Sequence, residues 1–425
     1  MEPGLTREAI ARETYRWDRL RGTGQGIVET CWRVFALLVA IRVFQADESI
    51  KQFIPAGLGV GFLLAPLGLS IANRLSAPLS AIIGTLWALV AVAIAGMILS
   101  NSIIAFVACV ALAQIMASQC ASLMTHLYSE NYPANKRGSW LSTTFVIASV
   151  AGIVFGFAGG ELLDHDVGLY RVVFLVGVLA ALLAAWTSRR IPSEPANSLK
   201  SPPPLASLVV AWQDKLFRMM LTAWMLMGMG NLMMVPIRVE YLANPAYGIN
   251  ASNAQISALL ISTVLAFRLL STKVWGLLFD RLNVIILRVS LNGVFMLSIV
   301  LFFFTDNLYI MAVGCALLGT AFGGGGILWA LYVTKIAPPD KVASYMSVHS
   351  FMTGLRMAMA PFIGYTVVQF THPSVAAWFA LLLIGVSSIL FLPLKPLIDA
   401  KTGELEAGEV YATGGSTGSP QAGCP

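Results

Sequence analysis

The sequence predicts an all-α membrane protein in which twelve transmembrane helices form two parallel six-helix repeats. Three observations predict it. Of 425 residues, 57% are hydrophobic and 11% are charged, against about 45–50% and about 25% in a soluble domain. The apolar residues gather in stretches that can cross a hydrocarbon core of about 30 Å, which takes about 20 residues of helix. Short motifs also recur across a central linker at a nearly constant offset.

Residues 1–25 read as a cytoplasmic N-terminal segment. They carry Arg7, Arg12, Arg16, Arg19 and Arg21 and show no apolar core of a cleavable signal peptide. Ile10, Trp17 and Leu20 share one helical face, which suits a short helix on anionic lipid or, equally, a solvated tail. Gly22-Thr23-Gly24-Gln25-Gly26 follows no strand, so it reads as a linker before the first span and not as a nucleotide fingerprint. Spans are expected near 26–45, 50–71, 79–99, 102–127, 139–162 and 169–188, together an N-terminal half over 26–188. A basic, proline-rich cytoplasmic linker over 189–215 follows, with Pro202, Pro203 and Pro204 in extended geometry. Spans near 216–240, 254–273, 284–305, 307–333, 343–370 and 373–394 make a C-terminal half over 216–394. Residues 395–425, almost free of apolar side chains from Lys401 onward, are expected to be a disordered cytoplasmic tail.

The arginines and lysines set the orientation. With the amino terminus and every second loop on one side, that side holds twenty of them, and the other holds Lys51, Arg171 and Arg238. A missed helix would scramble this alternation, so the bias supports an even number of spans with both termini cytoplasmic. The net charge of +6 is thereby an orientation signal and no argument for nucleic acid. The five cysteines form no C-x-x-C pair; neither a metal site nor a disulfide framework is indicated, and no cofactor is expected.

The repeat is visible in the loops. YPANKRGSWLS at 132–142 aligns with APPDKVASYMS at 337–347, pairing Pro133 with Pro338, Lys136 with Lys341, Ser139 with Ser344 and Ser142 with Ser347. Asn73-Arg74-Leu75 aligns with Asp280-Arg281-Leu282. Both pairs fall on the same side, so the halves are parallel. The offset sets Gly323, Gly324, Gly325 and Gly326 of the tenth span against Ser118-Gln119-Cys120-Ala121 of the fourth. With no following Lys-Ser/Thr the glycines are not a phosphate loop. Two readings stand: close helix packing, or a hinge or cavity wall.

These features resemble the major facilitator superfamily. Gly276-Leu277-Leu278-Phe279-Asp280-Arg281 is similar to that family's G-x-x-x-D-R signature between spans eight and nine. The first-half copy from Gly68 to Arg74 is degenerate, with Asn73 in place of the acid and a spacing one residue longer. Gly152-x-x-x-Gly156 with Gly159-Gly160 loosely resembles the glycine-rich antiporter motif, but without its proline and with the last glycines one residue early, so antiport is not inferred. The resemblance implies secondary transport of a small solute by rocking of the halves about a central site. It also implies that spans one, four, seven and ten line the cavity, that protons or another ion are coupled to transport, and that the functional unit is monomeric.

Ionisable groups in spans are functional candidates, because burying them costs about 2.5–3.5 kcal/mol or more. Arg356 sits near mid-depth of span eleven with no carboxylate within a turn; it contacts an anionic solute or ion pathway, or it is held by a helix carbonyl such as one freed near Met357 by Pro361. Arg42 reads as a rim ion pair with Asp47 or Glu48, or as a cavity cation. Glu29 and Arg33, at i and i+4, read as an ion pair or a protonatable coupling group. Arg268 is expected to snorkel or to meet Asp280. His126 and His349 are coupling candidates. Gln114, Gln119, Asn231 and Trp329 lie on the supposed lining helices, as solute contacts or as interhelical hydrogen bonds.

The expectation is thus a secondary carrier for a small solute, with a lean to an organic anion because Arg356 and Arg42 outnumber mid-membrane acids. Drug or sugar carriage and a transport-inactive receptor or scaffold are the alternatives. No H-E-x-x-H, G-x-S-x-G or clustered His/Asp suggests an enzyme, and no repeated filter segment suggests a channel. A bacterial-type inner membrane is the expected location.

Overall fold

The structure, a computed structural model, describes residues 6–198, 213–338 and 341–400. Twelve helices in it are long and apolar enough to cross a membrane: α1 Arg7–Arg42, α2 Glu48–Ala72, α3 Leu79–Leu99, α4 Ile103–Asn131, α5 Asn135–His165, α6 Val167–Arg189, α7 Lys215–Ala243, α8 Asn253–Arg281, α9 Val284–Phe303, α10 Leu308–Lys335, α11 Ser344–Phe370 and α12 Pro373–Ala400. Their starts carry local stop signals against the preceding loop. The Asp214 carboxylate accepts from Phe217 N at 3.0 Å, Ser252 and Gln255 form a reciprocal capping box, and Pro373 occupies the first turn of α12.

The packing pattern repeats. In the N-terminal half α1 packs on α5 and α6, α4 on α2 and α3, and α3 on α6. In the C-terminal half α7 packs on α11 and α12, α10 on α8 and α9, and α9 on α12. Adding six to each number of the first set gives the second, which is what a parallel repeat requires. The halves meet through two equivalent crossings, α2 on α11 and α5 on α8, with α1 against α7 between them. Small residues permit the crossings: a Cβ on Gly59 of α2 would enter the α11 backbone at Met357 and Ala358, and one on Gly160 of α5 would lie 2.8 Å from Ser257 Oγ of α8.

The first span differs from expectation. Residues 7–25 are continuous with it: the helix begins at Arg7, capped by Thr6, and continues through a π-helical stretch at Cys31–Phe35 to Arg42. Gly24 and Gly26 lie inside that helix, packed on the backbones of Ala180 and Ala148. The charges of this stretch are tolerated because its buried members are paired, as shown below. The linker's first residues fold back on the N-terminal half, where Asn131 Nδ2 donates to Pro192 O at 2.7 Å and Leu79 N to Glu194 O at 3.0 Å. The triple proline at 202–204, Asp340 of the repeat motif and the tail from Lys401 lie outside the described residues.

Candidate functional site

A cavity of about 1150 Å³ lies between the halves. It reaches Arg21, Thr125, Tyr128 and Met346 toward the side that carries most lysines and arginines, here the basic side. At the opposite, far side the halves are tied together. Lys51 Nζ of α2 donates to Glu240 Oε1 of α7 at 2.8 Å, with both side chains buried. Arg42 of α1 donates to Asn253 Oδ1 at 2.6 Å and to Ala251 O. Asp164 of α5 accepts from Asn253 N at 2.6 Å and Ala254 N at 3.0 Å, so a carboxylate of one half caps a helix of the other.

The C-terminal wall is built from residues spaced i, i+4, i+7 on three helices, which places each set on one face. On α7 these are Trp224, Gly228 and Asn231; on α9, Arg288, Asn292 and Phe295; on α11, His349, Thr353 and Arg356, with Asn292 and His349 standing behind the lining as supports of Arg288 and Thr353. Trp224 is the centre. The Arg288 guanidinium lies 4.6 Å from its ring and that of Arg356 5.8 Å, contacts of about 0.5–2 kcal/mol each. Arg356 donates to Thr353 Oγ1 at 2.9 Å and to Trp224 O at 3.3 Å. Gly228 makes room for it: a Cβ there would come within 2.6 Å of Arg356 Nε. Arg288 donates through Nε and a terminal nitrogen to Asn292 Oδ1 at 2.9 and 2.8 Å. No carboxylate is among these partners. Four buried polar atoms of the cluster have no partner: Arg356 Nε, Trp224 Nε1, His349 Nε2 and Asn231 Oδ1.

The N-terminal wall is a ladder of matched groups along α1. Asp18, fully buried, accepts from Arg21 Nε at 2.8 Å, Tyr128 Oη at 2.9 Å, Tyr132 Oη at 3.1 Å and Thr144 Oγ1 at 2.9 Å. Arg21 continues to Gln25 Oε1 at 2.6 Å, Gln25 to Glu29 Oε1 at 2.8 Å, and Glu29 Oε2 receives Arg33 at 3.0 Å. Arg268 of α8 lines the cavity within electrostatic reach of Glu29 and Arg33, so it neither snorkels away nor pairs with Asp280. Among the described residues, five arginines (Arg21, Arg33, Arg268, Arg288, Arg356) and a single acid, Glu29, therefore line the cavity. Such a charge excess in a low-dielectric cleft concentrates anions.

The predicted candidates sort by geometry. Arg356, Asn231, Trp329 and Glu29 are on the wall, Trp329 donating to Thr353 Oγ1 at 3.0 Å. Gln114 and Gln119 are not; both face α2, where Gln119 Nε2 donates to Gly61 O at 2.8 Å and Gln114 packs on Gly57. Arg42 is neither a cavity cation nor a partner of Asp47 or Glu48, but part of the far-side seam. His126 is half-buried at the basic end of α4 and off the wall. His349 lies behind the wall, its Nδ1 3.0 Å from Tyr332 Oη. The four glycines divide. Gly323 and Gly324 are packing positions, where a Cβ would lie 2.5 Å from Ser271 Oγ and 2.7 Å from Trp275 and Leu291. Gly325 and Gly326 line the cavity. The helix runs through all four without a break. Gly276, Asp280 and Arg281 at the end of α8, and Asn73 and Arg74 after α2, sit on the basic side off the cavity wall. Sequence reasoning missed Asp18, Arg21, Gln25, Trp224 and Arg288; the i, i+4, i+7 spacing of Trp224, Gly228 and Asn231 was the available signal.

The sequence profile of the Major Facilitator Superfamily matches residues 22–361. The chain belongs to that superfamily of transporters. A TsgA homolog from Serratia proteamaculans (strain 568) is 32% identical over 91 residues, a stretch that spans 21% of this chain and 23% of that relative's length. The nucleoside transporter NupG superposes with a TM-score of 0.71 at 12% identity, covering 91% of this chain and 98% of its own; a mutant of it scores 0.73 at 11%. A D-xylose–proton symporter scores 0.66 at 15% identity, covering 92% and 99%. At these identities the likeness to solved structures shows the fold. The protein is accordingly a multi-pass integral membrane transporter, with twelve membrane-crossing helices among the described residues.

Proposed function

We propose that the protein is a secondary carrier that moves a small organic anion by alternating access between its halves. The observation that carries this reading is the pair Arg288 and Arg356, both buried, 4.6 and 5.8 Å from the Trp224 ring and lining the cavity, with Arg356 Nε unfilled and no carboxylate among their hydrogen-bond partners. Leaving a charge buried and unpaired costs several kcal/mol; an incoming anion relieves that cost and so binds here in preference to a neutral solute. Trp224, Trp329 and Phe295 supply flat apolar surface for its organic body.

On this reading the basic side is the cytoplasm, both termini face it, and the structure is inward-open, closed by the Lys51–Glu240 seam. A bacterial-type inner membrane and a monomeric unit complete the proposal. Proton coupling, as in the D-xylose–proton symporter of the same fold, falls to Glu29, the acid on the wall.

Thermal unfolding of the purified protein against anionic, neutral and cationic solutes tests the reading. A ligand of the folded state adds about 2.7 kcal/mol of stability at a hundredfold excess over Kd. Stabilisation by an anion, abolished in Arg356→Gln while the unliganded fold survives, is the expected result. Stabilisation by nucleosides or sugars, unchanged in Arg356→Gln, overturns it in favour of a neutral-solute carrier. Solute flux in proteoliposomes separates a carrier from a transport-inactive scaffold.

A further inference from the structure

On the lipid-facing side of the N-terminal half, α1, α5 and α6 leave a groove of about 700 Å³ between them. It is separate from the central cavity, whose lining it does not share. Its walls are Ile27, Val150, Val154, Val172 and Val176 among others, with Thr23 at one end. Along α5 it runs from Val146 to Leu162, about 24 Å at 1.5 Å per residue. One leaflet of a bilayer core is about 15 Å deep, so the groove can house an acyl chain along its full length.

The basic end of the groove is charged and aromatic. Arg19 lies one turn and Arg16 two turns before Thr23, on the same side of α1. The Arg16 guanidinium is 5.2 Å from the Trp17 ring, and Arg190, at the end of α6, is 6.0 Å from that ring and 5.4 Å from Trp186. The two indoles meet edge to face at 5.3 Å. Arg19 covers Tyr15 at 4.7 Å, Tyr15 stacks on Trp140 at 4.5 Å, and Lys136 lies 5.9 Å from Trp140. Arg16, Arg19, Lys136 and Arg190 are all exposed. The acid among them is Glu13, which accepts from Trp17 Nε1 at 2.9 Å and lies 3.8 Å from Arg16. Among the described residues, four cations against one carboxylate leave an excess that the aromatic rings hold in place.

We propose that this groove seats one anionic phospholipid of the basic-side leaflet, its phosphate and acidic headgroup on Arg16, Arg19 and Arg190 and one acyl chain along Thr23, Val150 and Val154. The indoles sit where the headgroup region meets the hydrocarbon, their usual place. A zwitterionic lipid would bring its ammonium group into the cation cluster, so the seat discriminates against it. The ligand is a lipid and not a free phosphate, because Arg16 and Arg19 stand within two turns of Thr23 on the same face of α1, at the end of an apolar groove that suits a chain.

The test is native mass spectrometry of the full-length protein in detergent with phosphatidylglycerol or chain-matched phosphatidylcholine. One retained phosphatidylglycerol per protein is expected, about tenfold or more weaker in Arg19→Gln/Arg190→Gln and lost in Thr23→Trp, which blocks the groove. Both arginines are exposed, so their double variant keeps the fold, which its unfolding temperature checks. Equal retention of the two lipids, unchanged retention in the double variant, or displacement by chain-free glycerol phosphate overturns the proposal.

Discussion

Replacing Glu240 by glutamine opens the far side of the protein. The Glu240 side chain is fully buried and accepts from Lys51 at 2.8 Å and Asn244 at 2.7 Å; Lys51 keeps one other acid, Glu48, at 3.1 Å. In the proposed alternating-access cycle, opening the far side rehydrates Lys51 and Glu240, so the cost of breaking the pair falls on the closed state. Removing one member of a buried pair costs about 3–5 kcal/mol. Because Glu48 still partners Lys51, the lower end applies, and about 3 kcal/mol is roughly a hundredfold in population. A cysteine at Ser257, fully buried against Gly160 at the closed seam, reports the change in a background lacking native cysteines. Glu240→Gln raises its rate of modification by a membrane-impermeant maleimide up to a hundredfold. The double variant Lys51→Met/Glu240→Leu returns it toward the starting rate, because an apolar pair tolerates burial at least as well as the ion pair. Modification of Glu240→Gln at the unaltered rate refutes the argument that this pair holds the far side shut.

Three further outcomes follow from the packing. Gly324→Ala drives a methyl into Trp275 and Leu291 and costs about 1–3 kcal/mol in thermal unfolding, while Gly325→Ala, whose nearest neighbour is Phe295 at 3.9 Å, leaves stability within about 0.5 kcal/mol. Asp18→Asn strands Arg21 in the interior and lowers stability by about 3–5 kcal/mol, measured against the same unfolding transition. Gln119→Leu removes one hydrogen bond between α4 and α2, costing about 0.6–2 kcal/mol and leaving ligand-induced stabilisation unchanged, since Gln119 does not reach the cavity.

The fold was readable because lipid imposes simple rules. Length and hydropathy expose a span, and a basic loop exposes its side. The motif pairs at 132–142 and 337–347 then require two parallel halves, which the repeated helix pairings show. The site was readable only in part. Arg288 stands near the start of α9, where an arginine ordinarily snorkels to water; packing on Trp224 instead turns it inward. Asp18 and Arg21 fell before the hydrophobic window of the first span, yet their mutual pairing and the tyrosines of α4 let the helix carry them into the protein. Gln114 and Gln119 misled for the opposite reason. A membrane helix is apolar toward lipid and toward protein alike, so its cavity face leaves no hydropathy signal, and only the glycines of α2 show which way the amides point.

The two walls of the cavity are electrically unequal, and that bears on how a carrier of this design would couple closure to loading. On α1 each buried or wall-lining cation has its own acid, Arg21 with Asp18 and Arg33 with Glu29. On α9 and α11 Arg288 and Arg356 are held only by neutral acceptors. Closing the basic side over an empty site would remove water from both unmatched arginines and bring Arg268 toward Arg33, raising like-charge repulsion in a medium of low dielectric. On the proposed anion-carrier reading, a solute anion at Arg288 and Arg356 removes most of that cost, so the loaded protein closes more readily than the empty one. A ligand shifts a conformational equilibrium only by its difference in affinity for the two states. Here the difference comes from charge: the open state can hydrate the unmatched arginines with water, and the occluded state needs the solute to do it.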